Sequence, residues 1–158
     1  MRYCVGREKL ELVGYSDSDM AGGVDDCKST SEMIYFLSSG AIYWQSTIQK
    51  VVALSSCKAE YIAASTTATQ GVWLARLMKE LIRRENDLPM LYVDNKAMIS
   101  LIKNLVLHDR SKHIEIKFHY IRECADQGLI NIDFIRIEEP LGDIFTKSLA
   151  RVKFEKLR

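Results

Sequence analysis

Residues 33–45, which read M-I-Y-F-L-S-S-G-A-I-Y-W-Q, contain two apolar and aromatic stretches joined by a tight turn. This pattern predicts two antiparallel strands, Met33–Leu37 and Ala41–Gln45, linked through Ser38-Ser39-Gly40. Upstream, Leu10–Ser16 reads L-E-L-V-G-Y-S, a rough alternation that predicts a third strand. The intervening residues 17–31 are rich in Ser, Asp and Gly and are expected to form a connecting loop.

Downstream of these strands the sequence changes to helical patterns interrupted by short apolar runs. Ser55-Ser56 offers a cap for a helix over Cys57–Thr69, and Val72–Arg84 either continues that helix or begins a second one, with Gly71 as the candidate break. The apolar face of Val72–Arg84 is predicted to consist of Trp73, Leu74, Leu77, Met78, Leu81 and Ile82. The later elements are predicted as a strand at Met90–Val93, helices at Asn95–Lys103 and at His113–Gln127 with Gly128 as a stop, a strand at Leu129–Ile135, and a last helix from Pro140 to about Lys147.

The order of these elements predicts the fold class. Strands joined by short turns pair antiparallel, and strands separated by helices pair in parallel. We therefore expect an α/β (α+β mixed) fold with one five-stranded mixed sheet and helices on its faces. No internal repeat or linker divides the chain, so residues 1–158 are expected to form a single domain, with residues 1–9 as a short N-terminal lead-in.

The composition is typical of a soluble globular protein, with 158 residues, 47% of them hydrophobic and 27% charged. A net charge of +1 excludes a strongly basic protein but permits a local basic patch. No apolar run approaches the ~18 residues of a membrane span, and the N-terminus lacks the apolar core of a signal peptide. The scattered cysteines form no C-x-x-C pair, which indicates reduced thiols in a cytosolic or nuclear protein rather than zinc ligands or disulfides.

Four carboxylates are candidates for a functional site, and two of them lie at predicted strand ends, where sites gather in sheet-and-helix folds. Asp17 and Asp94 each follow a predicted strand directly. Glu60 lies early in a predicted helix beside apolar residues, and Asp143 lies in the last predicted helix. Taken singly, each has an ordinary explanation as a turn, cap or locally paired residue. If they converge, they repel one another unless they share protons or bind cations, and hard oxygen ligands favour Mg²⁺ or Mn²⁺.

Several short motifs in a fixed order indicate a family more specifically than any single residue does. The chain resembles the ribonuclease H domain of copia-type LTR retrotransposon Pol polyproteins over about residues 10–158. The matching motifs are G-Y-S-D-S-D at 14–19, K-S-T-S at 28–31, V-A-L-S-S-C-K-A-E-Y at 52–61, W-L at 73–74, V-D-N at 93–95, S-K-H-I-E-I-K-F-H-Y-I-R-E at 111–123 and D-I-F-T-K at 143–147. One such motif is weak, but seven in family order make the resemblance specific.

The resemblance implies both a fold and an activity. It implies a ribonuclease H fold and hydrolysis of the RNA strand of an RNA–DNA hybrid during reverse transcription, with two Mg²⁺ ions as cofactors and Mn²⁺ as a substitute. It also implies the metal-binding and catalytic carboxylates, which are Asp17 rather than the neighbouring Asp19, Glu60, Asp94 and Asp143. Selectivity for RNA would depend on contacts to the 2′-hydroxyl. The implied partner in the parent polyprotein is a reverse transcriptase domain, and the implied location is a cytoplasmic retrotransposon particle or the nucleus.

Residues 103–122 have a local charge balance of +3, from five Lys or Arg and two acidic residues. They predict a phosphate-facing strip on an otherwise neutral protein, although a solvated helix face is an equally good interpretation. The residues expected to contact nucleic acid there are Arg110, Lys112, Lys117 and Arg122, with Lys103 at the edge of the strip.

Histidine and aromatic residues offer further contacts. His113 precedes a predicted helix and is assigned an auxiliary role in proton transfer or product release, whereas His119 is expected to be structural and His108 has no assignment. Trp44 and its aromatic neighbours on the predicted strands could stack on bases. Aromatic strand residues are more often part of the core, and we expect these to be core residues.

Several positions depart from the pattern of the family. Among them are Met20, Glu32 and Lys58, and Pro140 and Gly142 just before Asp143, where glycine in a helix costs about 1 kcal/mol relative to alanine. These departures, and the start of the chain at Met1 near the first strand, favour an alternative: a catalytically inactive remnant that at most binds nucleic acid. An integrase-like nuclease is a weaker alternative because the sequence contains no zinc-binding segment.

Overall fold

A computed structural model describes residues 10–20, 27–82, 87–103 and 112–135. Within these ranges the chain forms a mixed sheet and three helices. Along the chain the elements are β1 (Leu12–Asp19), β2 (Thr30–Leu37), β3 (Gly40–Ile48), α1 (Ser56–Ile82), β4 (Met90–Val93), α2 (Lys96–Lys103), α3 (Lys112–Asp126) and β5 (Asn131–Phe134). The last helix predicted from the sequence lies outside the described residues.

The five strands form one sheet in the order β3-β2-β1-β4-β5. The pairs β1–β2 and β2–β3 are antiparallel, and the pairs β1–β4 and β4–β5 are parallel. This arrangement confirms the mixed sheet predicted from the connection lengths. The parallel part is reached through α1 and through α2 and α3, as parallel pairing requires.

The first two strands are longer than the sequence pattern predicts. The β1–β2 ladder continues through the pairs Asp17↔Glu32 and Asp19↔Thr30. Asp17 therefore lies inside β1, and the prediction that it directly follows the strand is wrong, as is the loop assignment for both ends of residues 17–31. The polar Ser-Asp composition suggested a turn, but backbone pairing with β2 overrides that local preference.

The helix after β3 is continuous from Ser56 to Ile82, so of the two alternatives left open by the sequence the structure shows one helix without a break at Gly71. Gly71 lies against Tyr35 of β2. A Cβ at Gly71 would collide with the phenol group of Tyr35, and a Cβ at Gly14 on β1 would collide with the ring of the same tyrosine. The Tyr35 hydroxyl donates a hydrogen bond to the Thr67 carbonyl of α1 at 2.8 Å. Both glycines therefore provide room for a buried tyrosine between helix and sheet.

The main hydrophobic core lies between the sheet and all three helices. It combines residues of α1, β4, α2 and α3 with Ile130, which precedes β5. Its buried members include Tyr61, Ala68, Val72, Leu91, Val93, Met98, Ile102, Ile121 and Cys124. At the end of α3, Gly128 adopts a left-handed conformation (φ 63°), and Leu129 N–H donates to the Cys124 carbonyl at 2.8 Å. This C-terminal stop matches the prediction for Gly128.

The second half of α1 is less buried than its apolar pattern predicts. Leu74 is buried, but Trp73, Leu77 and Leu81 are 54%, 37% and 71% exposed. The predicted apolar face is therefore wrong for these three residues. The buried residues of α1 end at Leu74, so the sheet supports only the first part of the helix. No helix within the described residues is long and apolar enough to cross a membrane.

Candidate metal and catalytic site

Two aspartates meet at one edge of the sheet because β1 and β4 run in parallel. Ser16 of β1 is aligned with Val93 of β4, so the next residues along these strands are Asp17 and Asp94. Parallel strands place their carboxyl ends at the same edge, which brings these two side chains together. Asp17 also accepts a hydrogen bond from the backbone N–H of Ser18 at 2.7 Å.

The N-terminal turns of α1 bring a third carboxylate to the same edge. Ser55 caps the helix, because its side-chain oxygen accepts from the N–H of Lys58 at 3.2 Å. Glu60 follows on the fifth residue of the helix and is only 9% exposed. Further along α1, the Thr67 hydroxyl lies 3.1 Å from that of Ser16, beside Asp17, and so ties the helix to β1.

The helix α2 is capped by the residue after Asp94 and not by Asp94 itself. The side chain of Asn95 accepts from the N–H of Met98 at 3.0 Å and so caps α2. The cap interpretation that was open for Asp94 therefore belongs to Asn95. Asp94 is left at the carboxyl end of β4, half-buried, beside Asp17.

The three carboxylates Asp17, Glu60 and Asp94 each offer an oxygen, and these oxygens all lie within 4.8 Å of one another. At that separation two negative charges repel by about 3 kcal/mol if the effective dielectric constant is about 20. The set consists of hard oxygen donors from three different elements, which suits Mg²⁺ or Mn²⁺. Its geometry and its chemistry therefore fit a divalent cation.

The charge of Glu60 also affects a neighbouring thiol. Burial raises the pKa of Cys57, and the nearby Glu60 carboxylate raises it further. Cys57 is therefore predominantly a neutral thiol near pH 7. It is a weak nucleophile and a poor metal ligand.

The structure describes the other predicted site residues only in part. Asp143 and Arg110 lie outside the described residues. His113, Lys112 and Lys117 fall within α3, but the description does not extend to their side chains. Arg122 is described, and its guanidinium lies 3.6 Å from the Asp126 carboxylate one turn further along α3. An ion pair of this kind with an exposed aspartate is weak, so the phosphate-facing role of Arg122 stays a prediction.

The structure reveals two features that the sequence pattern did not, one on β3 and one next to the site. Trp44 on β3 is 60% exposed, so the expectation that it belongs to the core is wrong. Glu32 is only 5% exposed and lies opposite Asp17 on β2, which adds a buried carboxylate next to the site. The sequence marked Glu32 only as a departure from the family pattern. The register of β1 against β2 shows that Glu32 lies opposite Asp17.

Comparison with known proteins identifies relatives among transposon polyproteins. The chain is 41% identical over 152 residues to the retrovirus-related Pol polyprotein of transposon TNT 1-94 from Nicotiana tabacum, covering 96% of this chain and 11% of the relative. It is 38% identical over 146 residues to the corresponding polyprotein of transposon RE1 from Arabidopsis thaliana, covering 92% of this chain and 10% of the relative. The chain thus spans about a tenth of the length of these relatives. No protein-family model matches it.

Solved structures with a similar fold are ribonuclease H domains. The N-terminal RNase H domain of rv2228c from Mycobacterium tuberculosis aligns with a TM-score of 0.58 at 14% identity, covering 94% of this chain and 96% of that one. LC11-RNase H1, isolated from compost, aligns with a TM-score of 0.60 at 13% identity, covering 85% and 91% of the two chains. The same enzyme in complex with an RNA/DNA hybrid gives a TM-score of 0.58 at 11% identity, covering 84% and 91%. At these identities the likeness establishes the fold.

Proposed function

Because this chain is homologous to a segment of the Pol polyproteins of copia-type transposons and has the ribonuclease H fold, we propose that it hydrolyses the RNA strand of RNA–DNA hybrids. The observation that carries this proposal is the convergence of the Asp17, Glu60 and Asp94 oxygens within 4.8 Å. Three segments far apart in sequence supply these oxygens, and the fold brings them together. A surface cluster of acidic residues within one segment would not require such a fold.

The three carboxylates are proposed to hold two Mg²⁺ ions, with Asp143 as a fourth ligand and Mn²⁺ as a substitute. Bound ions of this kind supply Lewis acidity to a water molecule and to the scissile phosphate. The task of the protein is to hold the carboxylate oxygens in place against their mutual repulsion. Asp17 and Asp94 are held by the paired backbones of β1 and β4, and Glu60 by the capped start of α1.

The RNA–DNA hybrid is proposed as substrate because a similarly folded enzyme, LC11-RNase H1, has been solved in complex with an RNA/DNA hybrid. A foamy viral protease-reverse transcriptase in complex with the same kind of duplex also aligns, with a TM-score of 0.50 at 12% identity. The proposed setting is reverse transcription of a retrotransposon, beside the reverse transcriptase domain of the parent polyprotein. Single-domain behaviour of residues 1–158, and a location in a cytoplasmic particle or the nucleus, belong to the same proposal.

The test is cleavage of a labelled RNA–DNA hybrid in Mg²⁺ by the parent protein, Asp94→Asn and Asp19→Asn. Asp19 is the matched control because it is exposed at the end of β1 and does not belong to the converging set. We expect the parent and Asp19→Asn to cleave at similar rates and Asp94→Asn to cleave about a hundred- to a thousandfold more slowly, the typical cost of removing one essential electrostatic group.

Other outcomes contradict the proposal in distinct ways. A parent protein that stays silent in Mg²⁺ and Mn²⁺, while still binding the hybrid, would establish the alternative of an inactive remnant. Equal cleavage by the parent and Asp94→Asn would show that the activity comes from another site or from a contaminant. Loss of cleavage in Asp19→Asn but not in Asp94→Asn would move the site toward the neighbouring aspartate.

A further inference from the structure

Gln49, the first residue after β3, is buried between the sheet and α1 and is only 4% exposed. Its side-chain Nε2 donates two hydrogen bonds, one to the Ser31 hydroxyl and one to the Ala59 carbonyl, both at 2.9 Å. Its backbone N–H donates a third, to the Ser29 carbonyl at 2.8 Å. One residue thus joins the start of β2 to the first turn of α1.

Both groups bound by the Gln49 amide adjoin metal-site carboxylates. Ser31 is the β2 residue opposite Ser18, which follows Asp17 in β1. Ala59 is fully buried and directly precedes Glu60 in α1. A bridge from Ser31 to Ala59 therefore fixes the separation between the strand that carries Asp17 and the helix turn that carries Glu60.

A restraint of this kind is needed because the three carboxylate oxygens converge within 4.8 Å and repel one another. The first turn of a helix is the part most easily displaced, since its N–H groups lack partners within the helix. The Gln49 amide also has a cost, because its Oε1 is buried and has no hydrogen-bond partner in the described part of the chain. A methionine would fill the same space without that cost, so the advantage of glutamine lies in its two donor bonds.

We infer that Gln49 is a positioning residue that holds Glu60 at the metal-binding distance from Asp17. This inference rests on the proposed metal-dependent function of the same carboxylates. Gln49 does not touch the carboxylates itself and acts through the Ala59 carbonyl. Groups that orient metal ligands in this way typically change metal affinity or activity by about 10–100-fold when they are removed.

The experiment compares Gln49→Met with Gln45→Met in the full chain. Gln45 lines the same cavity of about 430 Å³ between β3 and α1, but its side chain accepts a hydrogen bond from the Tyr43 hydroxyl of its own strand instead of bonding to α1. Mn²⁺ binding is measured by electron paramagnetic resonance, and the melting temperature and the kinetic constants on a labelled hybrid are measured alongside. We expect Gln49→Met to bind Mn²⁺ at least about tenfold more weakly and to lose kcat with an unchanged KM. Gln45→Met should match the parent.

A metal-free measurement separates failure of this inference from failure of the proposed function. In Gln49→Met, the amides of the first turns of α1 should exchange hydrogen for deuterium faster than in the parent, with the melting temperature preserved. If the parent binds Mn²⁺ and Gln49→Met matches it in affinity, kcat and exchange, the positioning role is refuted and the proposed function stands. If the parent binds no Mn²⁺, the proposed function fails, and unchanged exchange in Gln49→Met would overturn the restraint as well. Ser31→Ala removes one of the two bonds and gives a smaller loss if Gln49→Met does not fold.

Discussion

Glu60 differs from the two aspartates of the site in its environment. It is 9% exposed and lies in a helix, whereas Asp17 and Asp94 are half-buried at the edge of the sheet. Charges interact more strongly as water is removed from around them. Glu60 therefore experiences the repulsion of the cluster most directly, and its charge adds to the effect of burial in raising the pKa of Cys57.

Without metal, the charge of Glu60 should destabilise the fold. We expect Glu60→Gln to raise the melting temperature in EDTA at pH 7 by at least about 2–4 °C, because relief of even about 1 kcal/mol of this repulsion shifts a domain of this size by that amount. Calorimetry of parent and variant checks this, and Glu80→Gln, exposed on the same helix, is the control and should leave the temperature unchanged. A lower melting temperature for Glu60→Gln would mean that Glu60 stabilises the metal-free fold.

At the scale of elements, the contact between α1 and the sheet depends on one tyrosine and two glycines. Tyr35 is fully buried in β2, its ring lies against Gly14 of β1, and its hydroxyl reaches α1 between Thr67 and Gly71. Helix propensity alone argues for a break or a weak point at Gly71. The close approach of two elements instead makes glycine the residue that allows the helix to continue.

This contact predicts that Gly71→Ala destabilises the protein although alanine is the better helix former. Alanine would gain about 1 kcal/mol in helix propensity but would overpack the site, which typically costs 1–3 kcal/mol and leaves a net loss of about 1 kcal/mol. Denaturant unfolding of Gly71→Ala checks the sign. The cost should shrink in the background of Tyr35→Phe, because the hydroxyl that meets the new methyl group is then absent. A stabilised Gly71→Ala would show that the tyrosine moves aside freely.

At the scale of the whole molecule, the described part of the core includes Tyr35 and Tyr61, whose surroundings favour the neutral phenol. Burial raises the pKa of Tyr35 far above its usual value, and burial also raises that of Tyr61 despite the opposing charge of Arg122. In the unfolded chain both ionise near pH 10. The stability that depends on their neutral forms is complete below pH 10 and is lost as the pH rises above it.

Alkaline titration tests this dependence. Above pH 10 the free energy of unfolding should fall by about 1.4 kcal/mol per pH unit for each of the two tyrosines. In Tyr35→Phe the slope should be smaller by about that amount, whatever the stability of the variant at pH 7. Urea unfolding at pH 9, 10 and 11 measures both slopes, and identical slopes for parent and variant would contradict the assignment of Tyr35.

The sequence by itself determined the order of the elements, the mixed sheet, the stop at Gly128 and the four candidate carboxylates. These features can be predicted from the sequence because alternation, helical spacing, connection length and short motifs are local properties of the chain. It failed where long-range contacts override local preference. Asp17 lies within a strand because β2 pairs beyond it. The sequence also left open whether the helix continues through Gly71, and the structure shows that it does.

Only the tertiary structure decided that Asp17, Glu60 and Asp94 converge, since their distances depend on the β1–β4 register and on the placement of α1. It also decided that Asn95 rather than Asp94 caps α2, and that Gln49 joins β2 to the helix turn of Glu60. Such facts depend on how separate elements pack against one another. Residue spacing along one chain does not contain the distances across a core, because those distances are set by the side chains that fill it.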